Sequence, residues 1–333
     1  MNSLSLYDEM KYFSLKVDEY VTKYFDREPK SLYNASKYLI LQGGKRQRPF
    51  IVINSALMFC SSFEKILPAA SAIEFLHNFT LVHDDIMDND EERRGAPTVH
   101  VKYGVPMAIL AGDLLFAIAF YSALKLTAND FSPEQVLKVS DALVNASVEV
   151  CEGQALDLNF ANSKEFPSKE EYYRLISLKT SSLFKACSVI GSTLGGADDS
   201  SVNKMKEFGH LYGLCFQLVD DVLGVTGDRS LTGKPVGNDI REGKKTLVMR
   251  YVLDNAPESD RHKLLSILGN RSAPEEEIQY ALSVVSKSKA PDIVRTEAKL
   301  LSDKAIDILE GFRGSHARDM LINLTSEAST RSK

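Results

Sequence analysis

The chain has 333 residues, enough for two domains of average size or for one large domain with a substantial core. With 44% hydrophobic and 26% charged residues, its composition is typical of a soluble globular protein. A net charge of −5 gives no electrostatic support for binding to nucleic acid.

Targeting and redox signals indicate a cytoplasmic protein. The N-terminal residues have no cationic segment followed by an apolar run, so no secretory signal is predicted. No segment has eighteen consecutive apolar residues, so no transmembrane segment is predicted. The four cysteines are scattered without metal-site spacing, which indicates buried thiols in a reducing compartment.

Apolar residues recur at helical spacing along most of the chain. An amphipathic first helix is predicted to end before Pro29, and a second helix covers about residues 31–41. Strongly apolar helices follow over residues 50–60 and 108–126. Few segments alternate as strands do, and no Pro/Gly/Ser-rich linker divides the chain. The pattern therefore predicts one all-α domain over residues 1–333, a helical bundle.

The first cluster of acidic residues lies between residues 79 and 98, after an apolar helical segment. Its members are Asp84, Asp85, Asp88, Asp90, Glu91 and Glu92. On a helix, Asp84 and Asp88 lie one turn apart on one face, with His77 two turns before Asp84 on the same side. Carboxylates at this spacing repel each other, and Mg²⁺ takes one or two carboxylates together with substrate phosphates. Taken alone, the pattern also fits a solvated acidic helix end.

A cationic stretch, GGKRQRP at residues 43–49, follows the second predicted helix. Two glycines expose backbone N–H groups beside Lys45, Arg46 and Arg48, and this combination suits a phosphate. The alternative interpretation is a basic helix cap and loop.

A second acidic cluster lies on a helix predicted over about residues 202–223. Gln217, Asp220, Asp221 and Gly224 share one face of that helix. The loop at residues 233–246 follows and carries Lys234, Asp239, Arg241, Lys244 and Lys245. Such a loop fits either a polyanion site or a solvated surface.

The two acidic clusters, FTLVHDDIMD and FQLVDDVLG, are alike in sequence. A bundle brings helices that are distant in sequence side by side, and its ligand sites form where polar groups face inward. Facing carboxylate clusters repel strongly unless cations lie between them, and divalent metals with a diphosphate balance the charges. The residues alone therefore predict an enzyme that handles diphosphates.

Six motifs, in order, resemble those of the trans-polyprenyl diphosphate synthase family, whose members make linear isoprenoid diphosphates. They are GGKRQRP at 43–49, DDIMD at 84–88 followed by Arg93-Arg94-Gly95, GQALD at 153–157, Lys179-Thr180, FQLVDD at 216–221 and the loop at 233–246. The resemblance covers most of the chain. It implies a large helical bundle around a central cavity, paired into a homodimer.

The resemblance also implies a reaction: an allylic diphosphate (dimethylallyl, geranyl or farnesyl) ionises, condenses with isopentenyl diphosphate and loses a proton. Two or three Mg²⁺ ions are implied as cofactors, with ligands Asp84, Asp85, Asp88, Asp220 and Asp221. The implied isopentenyl diphosphate site is Gly44, Lys45, Arg48, His77 and Arg94. The implied allylic site is Arg93, Lys179, Thr180, Gln217, Lys234 and Lys244, with Lys179, Thr180 and Gln217 as the catalytic candidates.

Product length is predicted from the residues just before the first aspartates. Phe79 lies five residues before Asp84, about 7.5 Å along a helix, and the next residue, Thr80, is small. An aromatic residue at this position, before an uninterrupted DDxxD, resembles the archaeal type of geranylgeranyl diphosphate synthase. The resemblance implies a mainly C20 product with Phe79 as the floor of the cavity. Farnesyl and longer-chain synthases are the alternatives, and Phe79 as ordinary core packing is another.

Other interpretations remain for single residues and for the whole chain. His77 fits a buried core histidine, Lys179 a partner of a nearby carboxylate, and Thr180 and Gln217 ordinary buried hydrogen-bonding groups. Arg46 and Lys245 are left out of the site because their neighbours match the motifs better. Gly224 stands where many family members carry a third aspartate. A non-catalytic regulatory subunit on the same fold is the alternative class, although both arginines and the first aspartates are intact. A terpene cyclase is disfavoured by the cations for a second diphosphate.

Overall fold

The computed structural model describes residues 5–163, 165–226 and 237–331. Within these ranges the chain is mostly helical. The α-helices are α1 Leu6–Thr22, α2 Lys30–Leu41, α3 Gln47–Leu57, α4 Leu67–Met87, α5 Val99–Tyr103, α6 Val105–Leu124, α7 Pro133–Asn162, α8 Lys169–Ile176, α9 Ser182–Gly195, α10 Asp199–Thr226, α11 Asn238–Glu242, α12 Leu247–Asn255, α13 Glu258–Ile267, α14 Glu275–Lys287, α15 Ala290–Glu310 and α16 His316–Thr330. Short 3-10 helices cover Glu64–Ile66 and Lys125–Asn129, a π turn covers Ser177–Ser181, and the two-residue strands β1 Glu92–Arg93 and β2 Ala96–Pro97 pair antiparallel.

The all-α prediction is confirmed, and local signals account for several helix ends. Pro29 directly precedes α2, where its fixed φ suits the position before the first turn. Ser168 and Glu171 form a capping box at the start of α8, so that two otherwise unpaired backbone N–H groups are satisfied. The helix predicted over residues 108–126 begins earlier, at Val105, because Pro106 lies in its first turn.

Helix α4 carries the first acidic cluster at its C-terminal end. Pro68 lies in its first turn, and most side chains up to Leu76 are buried, so the helix is held by packing rather than by an exposed polar face. Asp88 caps the helix by donating its backbone N–H to the carbonyl of Asp84, and Asn89 then adopts a left-handed φ of 51°. The aspartates therefore lie where the chain leaves the helix.

Contacts along the backbone divide the chain into two compact units. The first comprises Met1–Val148, Leu183–Gly209 and Ile306–Leu324, and the second comprises Glu149–Ser182, His210–Ala305 and Thr325–Lys333. In the first unit, α4 packs along α6 and also contacts α1 and α3. In the second unit, side chains of α8, α10, α12, α14 and α15 form one buried apolar cluster. That residues 1–333 form a single domain stays a prediction.

Helix α6 is the most apolar of the helices that the structure describes. Within the described ranges, Val105–Asn129 is one helical stretch that is long and apolar enough to cross a membrane, a test that a buried core helix also passes. One side of α6 is buried, while Leu110, Tyr121 and Leu124 are exposed. The absence of a transmembrane segment stays a prediction.

Candidate active site

The first acidic cluster divides its carboxylates between two environments. Asp84 and Asp88, one turn apart at the end of α4, are partly exposed, and each has one buried carboxylate oxygen. The side chain of Asp85 is only 1% exposed, and one of its oxygens accepts a hydrogen bond of 2.6 Å from Arg93 Nε. Burial opposes the charge on Arg93, but Asp85 and Asp84 raise the pKa of its guanidinium. Asp85 thus holds Arg93 in place, and its role as a metal ligand stays a prediction.

The donor set of Asp84 and Asp88 fits Mg²⁺ shared with a phosphate. No group of three or more His, Cys, Asp or Glu side chains gathers into a metal site among the residues that the structure describes. Mg²⁺ does not require such a group, because it is commonly held by one or two carboxylates, substrate phosphates and waters. Asp84 and Asp88 are therefore suitable ligands for a cation that arrives with a diphosphate.

The adjacent arginines Arg93 and Arg94 point to different partners. Arg94 and Gly95 have φ values of 56° and 75°, which is the left-handed pair of a type I′ turn between β1 and β2. The turn directs Arg93 back to Asp85, whereas Arg94 Nη1 donates to the backbone carbonyls of Leu39 and Gly43. A tight hairpin thus assigns one guanidinium to the acidic cluster and the other to the GGKRQRP loop.

The GGKRQRP loop is held from beneath by Arg46, which sequence reasoning left out of the site. Arg46 has a left-handed φ of 47°, and its guanidinium pairs with Glu74 at 2.9 Å and with Asp18 at 2.8 Å. The Arg46 and Glu74 side chains are each 2% exposed, so removing either would cost on the order of 3–5 kcal/mol. Glu74 was the feature of the sequence that could have indicated this role of Arg46, because a charged residue on the apolar face of α4 needs a partner.

Gly44 permits this arrangement. A Cβ atom at Gly44 would lie 3.1 Å from Arg46 Nη1 and 3.1 Å from Arg94 Nη2, and the φ of 142° disfavours other residues as well. Burial lowers the pKa of Arg94, although not enough to discharge a guanidinium. Lys45, the next residue, is exposed. The structure thus brings Gly44 and Arg94 together, as predicted, around a fixed loop.

Arg48, two residues after Arg46, lies close to His77 of α4. Arg48 Nη1 lies 3.2 Å from His77 Nε2, and the guanidinium carbon lies 4.3 Å from the centre of the Phe184 ring. Burial, together with Arg48 and Arg94, keeps the pKa of His77 well below its ordinary value. A neutral His77 accepts a hydrogen bond from Arg48 through Nε2, so it orients the guanidinium without adding charge.

The second cluster is organised by a hydrogen-bonded chain on α10 and the π turn. Thr180 Oγ1 donates to Gln217 Oε1 at 2.6 Å, and Gln217 Nε2 donates to Asp221 Oδ1 at 2.7 Å. The other oxygen of Asp221 accepts a short hydrogen bond from the hydroxyl of Tyr172. The π turn adds a residue to the helix and is a common feature of functional sites. Thr180 and Gln217, both predicted for the allylic site, are therefore hydrogen-bonded to each other.

Asp221 and Asp220, although adjacent, differ as Asp85 and Asp84 do. Asp221 is buried, and burial raises its pKa to about 7. The side chain of Asp220 is 44% exposed. Tyr172 donates a hydrogen bond to Asp221, a contact that the sequence analysis did not predict. Its position eight residues before Thr180, at the polar start of a helix, was the only feature of the sequence that pointed to the site. Asp220 is thus presented outward, whereas Asp221 orients Gln217.

The predicted lysines have carboxylate partners. Lys179 Nζ lies 2.5 Å from Asp157 of the GQALD motif, and Lys244 pairs with Glu242 at 2.9 Å and Asp239 at 3.6 Å. The carboxylate alternative for Lys179 is therefore realised, and a phosphate contact would add to that pair. Lys234 lies outside the described residues.

Asp239 explains the glycine in the second motif. A Cβ atom at Gly224 would lie 2.2 Å from Asp239 Oδ2, so α11 places a carboxylate where a side chain at 224 would stand. Gly224 is therefore required by a close approach, and an aspartate at that position would meet Asp239 instead of solvent.

The side chains predicted to set product length lie between α4 and α6. The ring of Phe79 is 5.1 Å from that of Phe116 and 4.8 Å from His83, and Phe120 stacks on Phe116 at 5.0 Å. Thr80 Oγ1 donates to the carbonyl of His77 at 2.7 Å, so its side chain turns back along the helix. Phe79 thus belongs to an aromatic row with α6, and Thr80 adds little bulk.

Comparison with known proteins identifies the family. Residues 29–285 match the polyprenyl synthetase family model. The chain is 47% identical over 273 residues to the short chain isoprenyl diphosphate synthase of Methanocaldococcus jannaschii, covering 82% of this chain and 81% of that protein. It is 44% identical over 271 residues to the geranylgeranyl diphosphate synthase of Sulfolobus acidocaldarius, covering 81% and 82%.

A solved structure extends the match over nearly the whole chain. The geranylgeranyl pyrophosphate synthetase of Pyrococcus horikoshii superposes with a TM-score of 0.90 at 38% identity, covering 98% of each chain. The chain therefore belongs to the polyprenyl synthetase family. It is a trans-prenyltransferase of the all-α isoprenoid synthase fold.

Proposed function

We propose that the protein condenses isopentenyl diphosphate with allylic diphosphates and that its main product is geranylgeranyl diphosphate, C20. The observation that carries this proposal is the division of Arg93 and Arg94 between two partners. Arg93 stands with the acidic cluster, and Arg94 stands with the GGKRQRP loop and its neighbours Arg48 and His77. A chain-elongating enzyme needs separate sites for two diphosphates, and this division supports two.

The metal proposal is two or three Mg²⁺ ions, with Asp84 and Asp88 from the first motif and Asp220 from the second as protein ligands. Bound Mg²⁺ supplies Lewis acidity to the leaving diphosphate. Asp85 and Asp221 act from behind: Asp85 holds Arg93 for a bidentate contact with phosphate, and Asp221 holds Gln217.

The remaining groups act on the organic parts of the substrates. Thr180 and Gln217 present oxygen dipoles to the allylic cation that forms when the diphosphate leaves. Arg48, Arg94 and Lys45 bind the second diphosphate, and neutral His77 fixes Arg48, so that the double bond of isopentenyl diphosphate is positioned for attack. The departed diphosphate takes the proton, and no side-chain base is required.

The single experiment that tests the division is a comparison of neighbouring arginines. Arg94→Ala is expected to raise the Michaelis constant for isopentenyl diphosphate, whereas Arg93→Ala is expected to raise that for the allylic substrate. A loss of one charge-assisted contact corresponds to roughly tenfold or more in each case. If both variants raised the Michaelis constant of the same substrate and left that of the other substrate unchanged, the two-site assignment would fail.

Product length is tested at Phe79. In the described structure its ring packs on Phe116, so that Phe79→Ala opens space beside α4. We expect Phe79→Ala or Phe79→Ser to shift the product to C25 and longer. Thr80→Ser, a change of one methyl group, is the matched control and should leave the product at C20. Radioactive or mass-resolved products from each allylic primer measure the shift, and an unchanged distribution would place the floor elsewhere. An absence of any product from wild-type protein would favour the regulatory subunit.

We also propose a homodimer in the cytoplasm. Exposed apolar side chains recur along one side of α6 at Leu110, Tyr121 and Leu124, and a second copy of the chain is the simplest cover for them. Leu110→Glu combined with Leu124→Glu should give a monomer in sedimentation experiments. Leu300→Glu, which alters a leucine exposed to a similar degree on α15, should not.

A further inference from the structure

An arginine from the C-terminal end of the chain stands at the first aspartate of the second acidic motif. Arg331 directly follows α16, and its backbone is fixed on both sides. Its N–H donates to the carbonyl of Glu327 at 3.0 Å, and its carbonyl accepts from Arg295 Nη1 at 3.1 Å. The position of the side chain is therefore set by the helix end rather than by chance.

The guanidinium of Arg331 is mostly buried but makes few hydrogen bonds. Its carbon lies 4.6 Å from the centre of the Phe216 ring, and Nη2 lies 3.4 Å from Asp220 Oδ1. The Arg331 side chain is 11% exposed, whereas that of Asp220 is 44% exposed. Nε of Arg331 is buried and has no hydrogen-bond partner within the described part of the chain. A guanidinium has five N–H donors, so most of its capacity for an anion is unused.

These contacts suit a cation that serves a site rather than a structural ion pair. A structural pair that is buried needs short, well-aligned hydrogen bonds to offset desolvation, and 3.4 Å is long for one. The π face of the Phe216 ring holds the guanidinium beside the aspartate without using any of its N–H donors.

We propose that Arg331 is a diphosphate-binding residue that occupies Asp220 until a metal ion arrives. Without metal, Arg331 neutralises the Asp220 carboxylate. When a divalent cation takes Asp220, the guanidinium remains on Phe216 and turns its N–H groups to the diphosphate that accompanies the metal. The proposal rests on the proposed function in one respect, that Asp220 is a metal ligand. It adds a residue that none of the six motifs contains.

The two parts of the proposal predict effects of opposite sign. Arg331→Gln removes a competitor for Asp220, so metal alone should bind more tightly, by about twofold to fivefold, as expected for a partly exposed ion pair. The same variant loses a contact to the anion, so inorganic pyrophosphate with saturating Mg²⁺ should bind more weakly, by roughly fivefold or more. A residue that merely anchors the C-terminal helix would lower thermal stability and produce no such reversal of sign.

The experiment uses the full chain without organic substrate. Mn²⁺ binding is measured by electron paramagnetic resonance, and pyrophosphate binding by calorimetry. Arg331→Lys keeps the charge but not the planar fork, and should retain the competition with Mn²⁺ while losing part of the pyrophosphate contact. Arg318→Gln, which alters an arginine of α16 that is paired with Asp319, is the matched control and should change neither quantity.

A double variant separates this proposal from the proposed function. In an Asp220→Asn background, Arg331→Gln should no longer tighten Mn²⁺ binding, because the two groups compete only through Asp220. If Arg331→Gln shifts both measurements in the same direction or shifts neither, the inference is overturned. If instead Asp220→Asn alone leaves Mn²⁺ binding unchanged, the assignment of Asp220 as a metal ligand is what fails.

Discussion

The two acidic motifs, DDIMD at 84–88 and DDVLG at 220–224, share a plan but differ in the groups that support it. In each motif the first aspartate is partly exposed and the second is buried. Asp85 is supported by a charged partner, Arg93, whereas Asp221 is supported by the neutral Tyr172 and Gln217. Similar sequences thus conceal different electrostatics.

The difference has a consequence for charge. Asp85 pairs with Arg93 and orients this guanidinium, which a phosphate can then contact. Burial raises the pKa of the Asp221 carboxyl to about 7, and the hydrogen bonds from Tyr172 and Gln217 offset this only in part, so the charge of Asp221 depends on the pH of the solution. Supporting groups behind two similar motifs are therefore not interchangeable, and variants of matching positions should distinguish them.

The largest effect is expected for the outer aspartates, where the two motifs should behave alike. Asp84→Ala, Asp88→Ala and Asp220→Ala should each lower turnover by orders of magnitude, because the leaving diphosphate then loses its metal ligands. Steady-state rates at saturating Mg²⁺ measure the loss, with Glu91→Ala, an exposed acid of the same segment, as the control. Full activity of wild-type protein in a strong chelator would refute the metal dependence.

The helical plan could be predicted because each apolar face repeats at helix spacing, and the six motifs were sufficient to identify the family. Which aspartate of each pair is buried could not be predicted, because adjacent residues on a helix differ by about 100° and only packing decides which one turns inward. Arg46 and Arg48 are only two residues apart. Which of the two arginines is buried beneath the loop depends on Glu74, which is distant in sequence.

Contacts that hold the second motif in place were the hardest to predict from the sequence. Tyr172 belongs to no charged motif, and its contact with Asp221 depends on where α8 packs. Asp239 fills the space of Gly224 only because α11 returns to that point of α10. Such contacts join residues that are far apart in the chain, so local patterns contain no record of them.

A smaller effect is expected when the buried aspartates are changed to asparagine, and here the two motifs should diverge. Asp85→Asn leaves the nearly buried Arg93 without its main counter-charge, so the specificity constant for the allylic substrate should fall by about tenfold to a hundredfold. Asp221→Asn can still accept from Gln217 and can donate to the hydroxyl of Tyr172, so its loss should stay below about tenfold. Asp90→Asn, which removes an acid 3.7 Å from Arg93, is the control for general charge loss. Equal losses at positions 85 and 221 would mean that the charge of the support is irrelevant.

The smallest expected effect is a dependence of stability on pH that Asp221 of the second motif contributes. In the unfolded chain an aspartate titrates near 3.9, whereas Asp221 in the folded, metal-free protein has a pKa of about 7. Between these values the unfolded state releases a proton that the folded state retains, so the contribution of Asp221 is complete below about pH 4 and is lost as the pH rises to 7. Wild-type protein should therefore lose stability relative to Asp221→Asn over this range, by at most about 1.4 kcal/mol per pH unit. Urea unfolding of both proteins at several pH values, in chelator, measures the difference.

Tyr172→Phe removes a hydrogen bond that lowers the pKa of Asp221, so it should move the midpoint of the loss to higher pH. Parallel stability curves for wild-type and Asp221→Asn protein would show that the buried carboxyl keeps its ordinary pKa, and the contrast between the two supports would then be lost.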